Sequence, residues 1–327
     1  MNSVCLAVLN RNGVRHLQAL LPTLEVACRR SPIPAFIMVL DNQSTERDVE
    51  WTKQHHPNVR CAVAHKNDYL FSYNWLLAQL KEDVVVLLNN DLRVQPDFLT
   101  PLLRHFESTD VFAVSGRIYD WEGQNVMSGP AMLECQHGFY SWRFHLDRQT
   151  RSHTLFSSGA CMAVDRGKFL ELGGFNRLFH PAYCEDLELC FRAWRRGWRC
   201  IYEPESVFYH REHASWSDSS FGRVNTLSLR NALLFQWSSL PMQRNRLERN
   251  ARIAHLIVRG LLSGDATWFK VWIGTILFWG KTRHRFRHLK TRQTELKQVM
   301  QRIAALGWDN YSIKATSDES CCYRLSQ

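Results

Sequence analysis

The run Val84-Val85-Val86-Leu87-Leu88 is unbroken and apolar, and it ends in Asn89-Asn90-Asp91. Such a run reads as a strand buried on both faces, as in a covered parallel sheet. Two earlier runs have the same form. Residues 3–9 end in Asn10-Arg11-Asn12-Gly13, and Phe36-Ile37-Met38-Val39-Leu40 ends in Asp41-Asn42-Gln43-Ser44. Between them Leu17, Leu20, Leu21 and Leu24 recur at helical spacing, which predicts an amphipathic helix over 14–29, broken by Ser31-Pro32-Ile33-Pro34. The alternation continues with a helix over 47–55, a strand over 59–64, a helix to Leu80, a helix over 96–106 and a strand over 111–115. Residues 117–153 mix aromatics and glycines without clean periodicity and read as hairpins or loops.

Order resumes with a strand of small residues within 155–164 and a short helix over 166–172 closing at Gly173-Gly174. Leu187, Cys190, Phe191 and Trp194 fall on one face of a helix that begins at Glu185-Asp186-Leu187-Glu188 and ends at Arg195-Arg196-Gly197. Strands over 199–202 and 207–210 follow around Pro204. Strand and helix alternate without a fixed repeat, which argues an α/β fold: a mainly parallel sheet with helices on both faces.

Charge divides the chain. Residues 1–222 carry 23 Lys and Arg against 25 Asp and Glu, whereas residues 223–327 carry 18 against 6. The boundary expected from this split lies near Gly222: a domain over 1–222, a basic helical region over 223–308 and a loose polar tail over 309–327. So basic a region is suited to an anionic surface, a membrane leaflet or a nucleic acid. The ten cysteines lack metal-type spacing, and several lie in apolar runs, as reduced core thiols of a cytosolic protein do. No basic and apolar leader opens the sequence; residues 3–9 read as a strand.

Candidate chemistry sits where the strands end. Ligands of open α/β sheets bind beyond the carboxyl ends of strands, so Asp91, backed by amides, is placed to hold a divalent cation, although Asn-Asn-Asp is also a turn that opens a helix. Acids in the first turn at Glu185 and Asp186 are what the helix dipole favours for structural reasons alone. By itself His210 reads as a satisfied histidine at a strand end.

The order of these parts resembles an inverting family 2 glycosyltransferase of the nucleotide-diphospho-sugar (GT-A) fold, in the rhamnosyltransferase-like branch. The matching pieces are Asp41-Asn42-Gln43-Ser44, Asn67 through Asn74, Leu88-Asn89-Asn90-Asp91 with Pro96-Asp97-Phe98-Leu99, Gly159-Ala160-Cys161-Met162, Leu172-Gly173-Gly174-Phe175-Asn176, Glu185-Asp186-Leu187-Glu188-Leu189-Cys190 and Tyr209-His210. They span about residues 3 to 216. The chain departs from the pattern at Leu9-Asn10, where the family commonly has a proline, and at Asn89, where an aspartate is common.

The resemblance implies transfer of a sugar from a nucleotide-diphosphate donor to an acceptor hydroxyl, with Mg²⁺ or Mn²⁺ neutralising the departing diphosphate. Asp91 and His210 are the implied metal ligands. Asp186 is the implied base that takes the acceptor proton, with Glu185 beside it. Asp41, Asn67, Asn74, Asn89, Asn90 and Gly159 are the implied nucleotide-sugar contacts. One base and a metal suffice where a glycosidase needs two carboxylates. The implied acceptor is a saccharide or lipid-linked saccharide of bacterial surface polysaccharide or glycolipid assembly.

In the basic region, 225–236 and 247–262 read as helices. The stretch from Ala266 to Gly280 is 15 residues long and contains Lys270, short for a membrane span. Lys281 to Lys297 then holds seven Lys or Arg against one Glu. Tryptophans, an apolar face and a polybasic run fit a helix lying on an anionic membrane surface, which places the protein at the cytoplasmic face as a peripheral protein. The other reading is a helix docked on the catalytic domain. Two rival functions are open to this sequence. A nucleotidyltransferase would need a glycine-rich basic loop after the first strand, of which Asn10-Arg11-Asn12-Gly13 is a poor version. A nucleic-acid-binding protein would show a recognisable motif, and its acidic strand ends would repel phosphates, so no nucleic-acid partner is expected.

Overall fold

The computed structural model describes residues 2–136, 139–211, 221–241, 246–286 and 292–308. The tail over 309–327, with Cys321-Cys322, lies outside the described residues. The elements run β1 (Val4–Asn10), α1 (Val14–Arg30), β2 (Ala35–Asp41), α2 (Asp48–His55), β3 (Arg60–Val63), α3 (Ser72–Gln79), β4 (Val84–Asn89), β5 (Leu92–Val94) and α4 (Leu99–Leu103). Next come β6 (Val111–Asp120), β7 (Val126–Ser128), β8 (Ala131–Gln136), β9 (Phe139–Phe144), β10 (Ser152–His153), β11 (Cys161–Asp165), α5 (Arg166–Glu171), α6 (Glu185–Arg195) and β12 (Arg199–His210). Among the described residues four further helices follow: α7 (Phe221–Ser239), α8 (Arg246–Leu262), α9 (Thr267–Phe286) and α10 (Gln293–Ala304).

The main sheet runs β10-β12-β6-β11-β4-β1-β2-β3, with β5 on β12 and β7 on β6. Strands β4, β1, β2 and β3 are parallel, and β11 enters antiparallel between β4 and β6. The central strands are buried on both sides, and the sheet separates two apolar cores. Val85 and Leu87 pack into one, while Val84, Val86 and Leu88 pack into the other, as a period of two requires. Helices α1 and α4 cover the second core through Leu17, Leu20, Leu21, Leu24, Leu99 and Leu102, all essentially inaccessible to solvent. Each such leucine contributes about 1.5–3 kcal/mol by leaving water. Helix α6 covers the first core with Leu187, Cys190, Phe191 and Trp194, the face expected from their spacing.

Several local expectations are corrected. Arg199–His210 is one strand, because a register shift between Glu203 and Val207 absorbs Pro204 as a bulge. The segment after Asp91 first makes β5, which pairs antiparallel with β12, and only then a short helix with one tighter turn over Arg104–Glu107. Only Cys161–Asp165 of the small-residue stretch is strand. Residues 117–153 hold the end of β6, β7, β10 and a separate β8–β9 ladder.

The basic region shares the core of the rest. Leu234 and Phe235 of α7 and Leu296, Val299, Met300 and Ile303 of α10 are buried in the core beneath α6. Val271 of α9 packs with Ile253 of α8, Leu233 of α7 and Phe139. The opposite side of the α8–α9 hairpin is apolar yet open to solvent: Leu262 is 85% exposed and Leu277 60%, with Leu261, Phe269, Ile273 and Ile276 alongside. One face is docked and another is free, so the two readings of this helix are not exclusive. No described helix is long and apolar enough to cross a membrane.

Candidate active site

Asp91 and His210 meet through main-chain pairing. In the short β5–β12 ladder Leu92 faces His210, and the Arg211 N–H donates to the Asp91 carbonyl at 3.0 Å. His210 Nε2 thereby comes to 3.2 Å from Asp91 Oδ1. Asp91 is 4% exposed. Both facing atoms are buried, and neither makes a hydrogen bond. Orphaned buried polar atoms are rare, because each forfeits its hydration without return. Two of them aimed at one point fit a divalent cation, whose neighbouring ligands in an octahedral shell sit about 3 Å apart. Among the described residues no third His, Cys, Asp or Glu joins them. Any further ligands of a bound ion would have to come from water or from the substrate.

The turn leading to Asp91 is fixed by a buried amide chain that the sequence did not disclose. Asn90 Nδ2 donates to Asn10 Oδ1 at 2.8 Å, and Asn10 Nδ2 donates to Asp48 Oδ2 at 2.8 Å. The same Asp48 oxygen accepts the Gly13 N–H at 2.6 Å. A Cβ on Gly13 would lie 2.1 Å from Asn90 Nδ2, so this position has no room for a side chain. Asn90 therefore spends its donor on the loop after β1, at the place where the family's usual proline is replaced.

Asp186 stands at the start of α6, which rides on the sheet above the carboxyl ends. Its Oδ2 accepts the Gly159 N–H at 2.9 Å, and its Oδ1 accepts the Leu187 N–H at 2.8 Å. The adjacent Ala160 carbonyl accepts the Asn89 N–H at 2.8 Å. Asp186 is thus tied to the strand end from which Asp91 departs. A Cβ on Gly159 would lie 2.7 Å from Leu70 Cδ2 and 3.5 Å from Asp186 Oδ2, so glycine permits the close approach. Burial raises the Asp186 carboxyl above its ordinary pKa, against the two N–H donors that lower it. Glu185 is pushed up as well, first by burial and then by the Asp186 charge, and its Oε2 has no partner. Burial together with the adjacent Asp186 charge makes Glu185 the member of the pair that keeps its proton longer.

The remaining residues form the rim. Asp41 is buried two strands from β4, and its carboxylate accepts from Ser44 N (3.0 Å) and Ser44 Oγ (2.5 Å). Neighbouring Asn42 accepts from Ser72 Oγ at 2.6 Å and donates to the Tyr69 carbonyl at 3.2 Å, which shapes the loop after β3. In that loop Asn67 is half-buried and accepts from Tyr69 N at 3.3 Å. Buried Asp68, overlooked in the sequence, pairs with Arg177 and, at 3.3 Å, with His180, joining this loop to the segment before α6. Burial pushes its carboxyl up, but the Arg177 guanidinium outweighs this and holds it below the usual range. Asn74 stands apart from the others. Its amide donates to the Phe175 carbonyl at 2.9 Å and accepts the Phe175 N–H at 2.8 Å, so both groups are consumed in fastening the Gly173-Gly174 turn.

A cavity of about 740 Å³ is lined by Asn74, Gly174, Arg177, Arg192, Arg195 and Arg196 among others, and by none of Asp41, Asp91, Asp186 or His210. Its four arginines are paired with Asp68, Glu188, Glu295 and Glu171, so it presents a balanced surface apart from the acids at the strand ends.

This sheet order and the placement of acids at its carboxyl end define a glycosyltransferase fold of the GT-A type. The GalNAc-T7 structure with UDP, GalNAc and Mn²⁺ superposes with a TM-score of 0.56 at 15% identity, over 73% of this chain and 48% of that one. The mannosyltransferase PcManGT of Pyrobaculum calidifontis, in complex with GDP-Man and Mn²⁺, does so at 0.52 and 14%, over 94% and 88%. Residues 84–280 match the model of glycosyl transferase family group 2, and the chain belongs to that family. The nucleotidyltransferase and non-enzymatic alternatives give way to it. An N-acetylglucosaminyl-diphospho-decaprenol L-rhamnosyltransferase of Mycobacterium tuberculosis is 26% identical over 232 residues, 62% of this chain and 74% of that protein. An uncharacterized Sinorhizobium fredii protein, y4gI, is 27% identical over 219 residues, but the chain spans only 24% of its length.

Proposed function

We propose that this glycosyltransferase moves a sugar, with inversion, from a nucleotide diphosphate to an acceptor hydroxyl, with Asp186 as the base. The observation that carries the reading is the chain of contacts from Asp186 through Gly159 and Ala160 to Asn89, which sets the carboxylate beside the strand end bearing Asp91. A base must lie within hydrogen-bond reach of the hydroxyl and titrate near the working pH, and burial moves Asp186 in that direction. Asp91 and His210 would hold Mg²⁺ or Mn²⁺. The ion, when bound, supplies positive charge for the leaving diphosphate. A nitrogen ligand favours manganese. Glu185, keeping its proton, can donate a hydrogen bond to the acceptor. Asp41, Asn67 and Asn89 line the donor side, and Asn90 orients the turn between them.

The rhamnosyltransferase relative is named for an acceptor on a diphospho-decaprenol, which supports a lipid-linked saccharide acceptor and a role in bacterial surface polysaccharide or glycolipid assembly. The solvent-facing apolar side of α8–α9, with Arg259, Lys270, Lys281 and Arg283 close in sequence, suits seating on an anionic leaflet, at the cytoplasmic face. The test is a panel of UDP-, GDP- and dTDP-sugars incubated with purified protein, with Mn²⁺ or with a chelator. Release of nucleotide diphosphate from one donor, lost with the chelator, is expected. Undiminished release in chelator would remove the metal from the reading, and no release from any donor, with or without acceptor, would sink the reaction.

A further inference from the structure

We infer that Asn231, in the middle of α7, is the positioning residue that sets Asp186; the inference rests on Asp186 being the base. Asn231 is fully buried. Its Nδ2 lies 2.9 Å from the Phe179 carbonyl, 2.6 Å from that of Ala182 and 2.9 Å from that of Tyr183. Its Oδ1 accepts from Arg230 Nε at 3.0 Å, which fixes the amide with its donors toward the loop. Arg230 Nη2 donates in turn to the His180 carbonyl at 3.0 Å, and its guanidinium lies over the Phe278 ring of α9. Two adjacent residues of α7 thus hold four carbonyls of the segment that delivers α6.

That segment needs holding. Tyr183 and Cys184, which precede Glu185 and Asp186 directly, adopt φ of 74° and 68°. A left-handed residue with a Cβ is strained, and two in succession without glycine persist only where surrounding bonds demand it. Asn231 meets the demand, since both its hydrogens are used where no water reaches. Without them the loop carbonyls are desolvated and unpaired, the two residues can return toward right-handed φ, and the first turn of α6 rotates away from Gly159. Asp91 and His210, set by the sheet, stay where they are. The clamp therefore acts on proton abstraction and leaves donor binding alone.

Asn231→Ala tests this, with turnover measured on the donor identified in the panel, UDP–Mn²⁺ binding by calorimetry, and hydrogen exchange at residues 158–160 and 183–187. The expected result is a kcat roughly 10- to 100-fold lower, the loss that follows a misplacement of about 1 Å. Donor KM should stay within about twofold, and faster exchange should be confined to those peptides. Adding Cys184→Gly, which removes one left-handed penalty, should recover about threefold or more of the lost kcat, a response that a general loss of stability would not give. Arg230→Gln, which gives up the His180 contact, keeps the question open to measurement if Asn231→Ala does not fold; the same split, about threefold in kcat, is expected. A kcat within about twofold of wild type, or kcat and donor affinity falling together, would overturn the clamp. Should the wild type turn over no donor, the transferase reading fails by itself, and unchanged exchange at 183–187 in Asn231→Ala would still overturn the clamp.

Discussion

Asp91 and His210 owe their meeting to main-chain ladders, whereas Asp186 reaches the crevice through side chains that come from distant parts of the sequence. On the sheet side β4 is paired by β1 and β11, and β5 is paired by β12, so Asp91 and His210 are set once the strands register. On the helix side the loop before α6 is fastened by Asp68 from one direction and by Asn231 and Arg230 from the other. A ladder is cooperative and tolerates substitution of its side chains. A loop held by three side chains does not, because each bond lost leaves a buried carbonyl or carboxylate unpaired.

The sharpest way to break the contrast is to remove one group from each half. Asp186→Asn is expected to lower kcat by about 10²–10⁴ while UDP–Mn²⁺ binding stays near wild type. Asp91→Ala should instead weaken that binding by roughly 100-fold or more, read by calorimetry. If both variants lose binding alike, the halves are not independent. The next largest effect concerns the sheet half alone. Glu203 is 1% exposed and bonded by His105 at 2.7 Å and Arg104 at 2.8 Å. Burial pushes its carboxyl up, but those bonds prevail and bring it down to about 2 from an ordinary 4.5. Its stabilisation is therefore complete above pH 4.5 and is lost as pH falls toward 2. Glu203→Gln should cost about 2–3 kcal/mol at neutral pH and flatten the acid limb of the unfolding midpoint plotted against pH. The smallest effect sharpens the picture of the turn that leads to Asp91. Gly13→Ala must displace the Asn10–Asn90 bond, at about 1–3 kcal/mol in chemical denaturation, and Asp91 should keep at least part of its UDP–Mn²⁺ affinity because the β5–β12 ladder remains.

The sheet was legible because its strands are apolar runs with polar ends, and burial on both faces leaves that mark in the sequence. Asp91, Asp186 and His210 are proposed from the order of short pieces alone, since nothing in their own surroundings distinguishes them from turn and cap residues. The amide chain of Asn10, Asn90 and Asp48 was hidden because its partners are 35 or more positions apart and each alone suits a turn. Asn74 presents the opposite case: a polar residue amid aromatics in a family-like stretch spends its amide on the Phe175 backbone. Asn231 did leave a trace. It lies on the same stripe of α7 as Leu227, Leu234 and Phe235, and a lone amide in an apolar stripe is buried only with partners waiting for it. Pro204 reads as a break because a bulge has no composition of its own.

The division of the interior into two cores has a practical side. Everything proposed to touch substrate lies at the strand ends or on the α6 side, while α1 and α4 form a back wall whose outer residues, such as Arg15 and Gln18, face solvent. A protein fixed to a resin, a sensor chip or a neighbouring enzyme through that wall would present its working end outward, free to meet donors from solution or lipids from a vesicle.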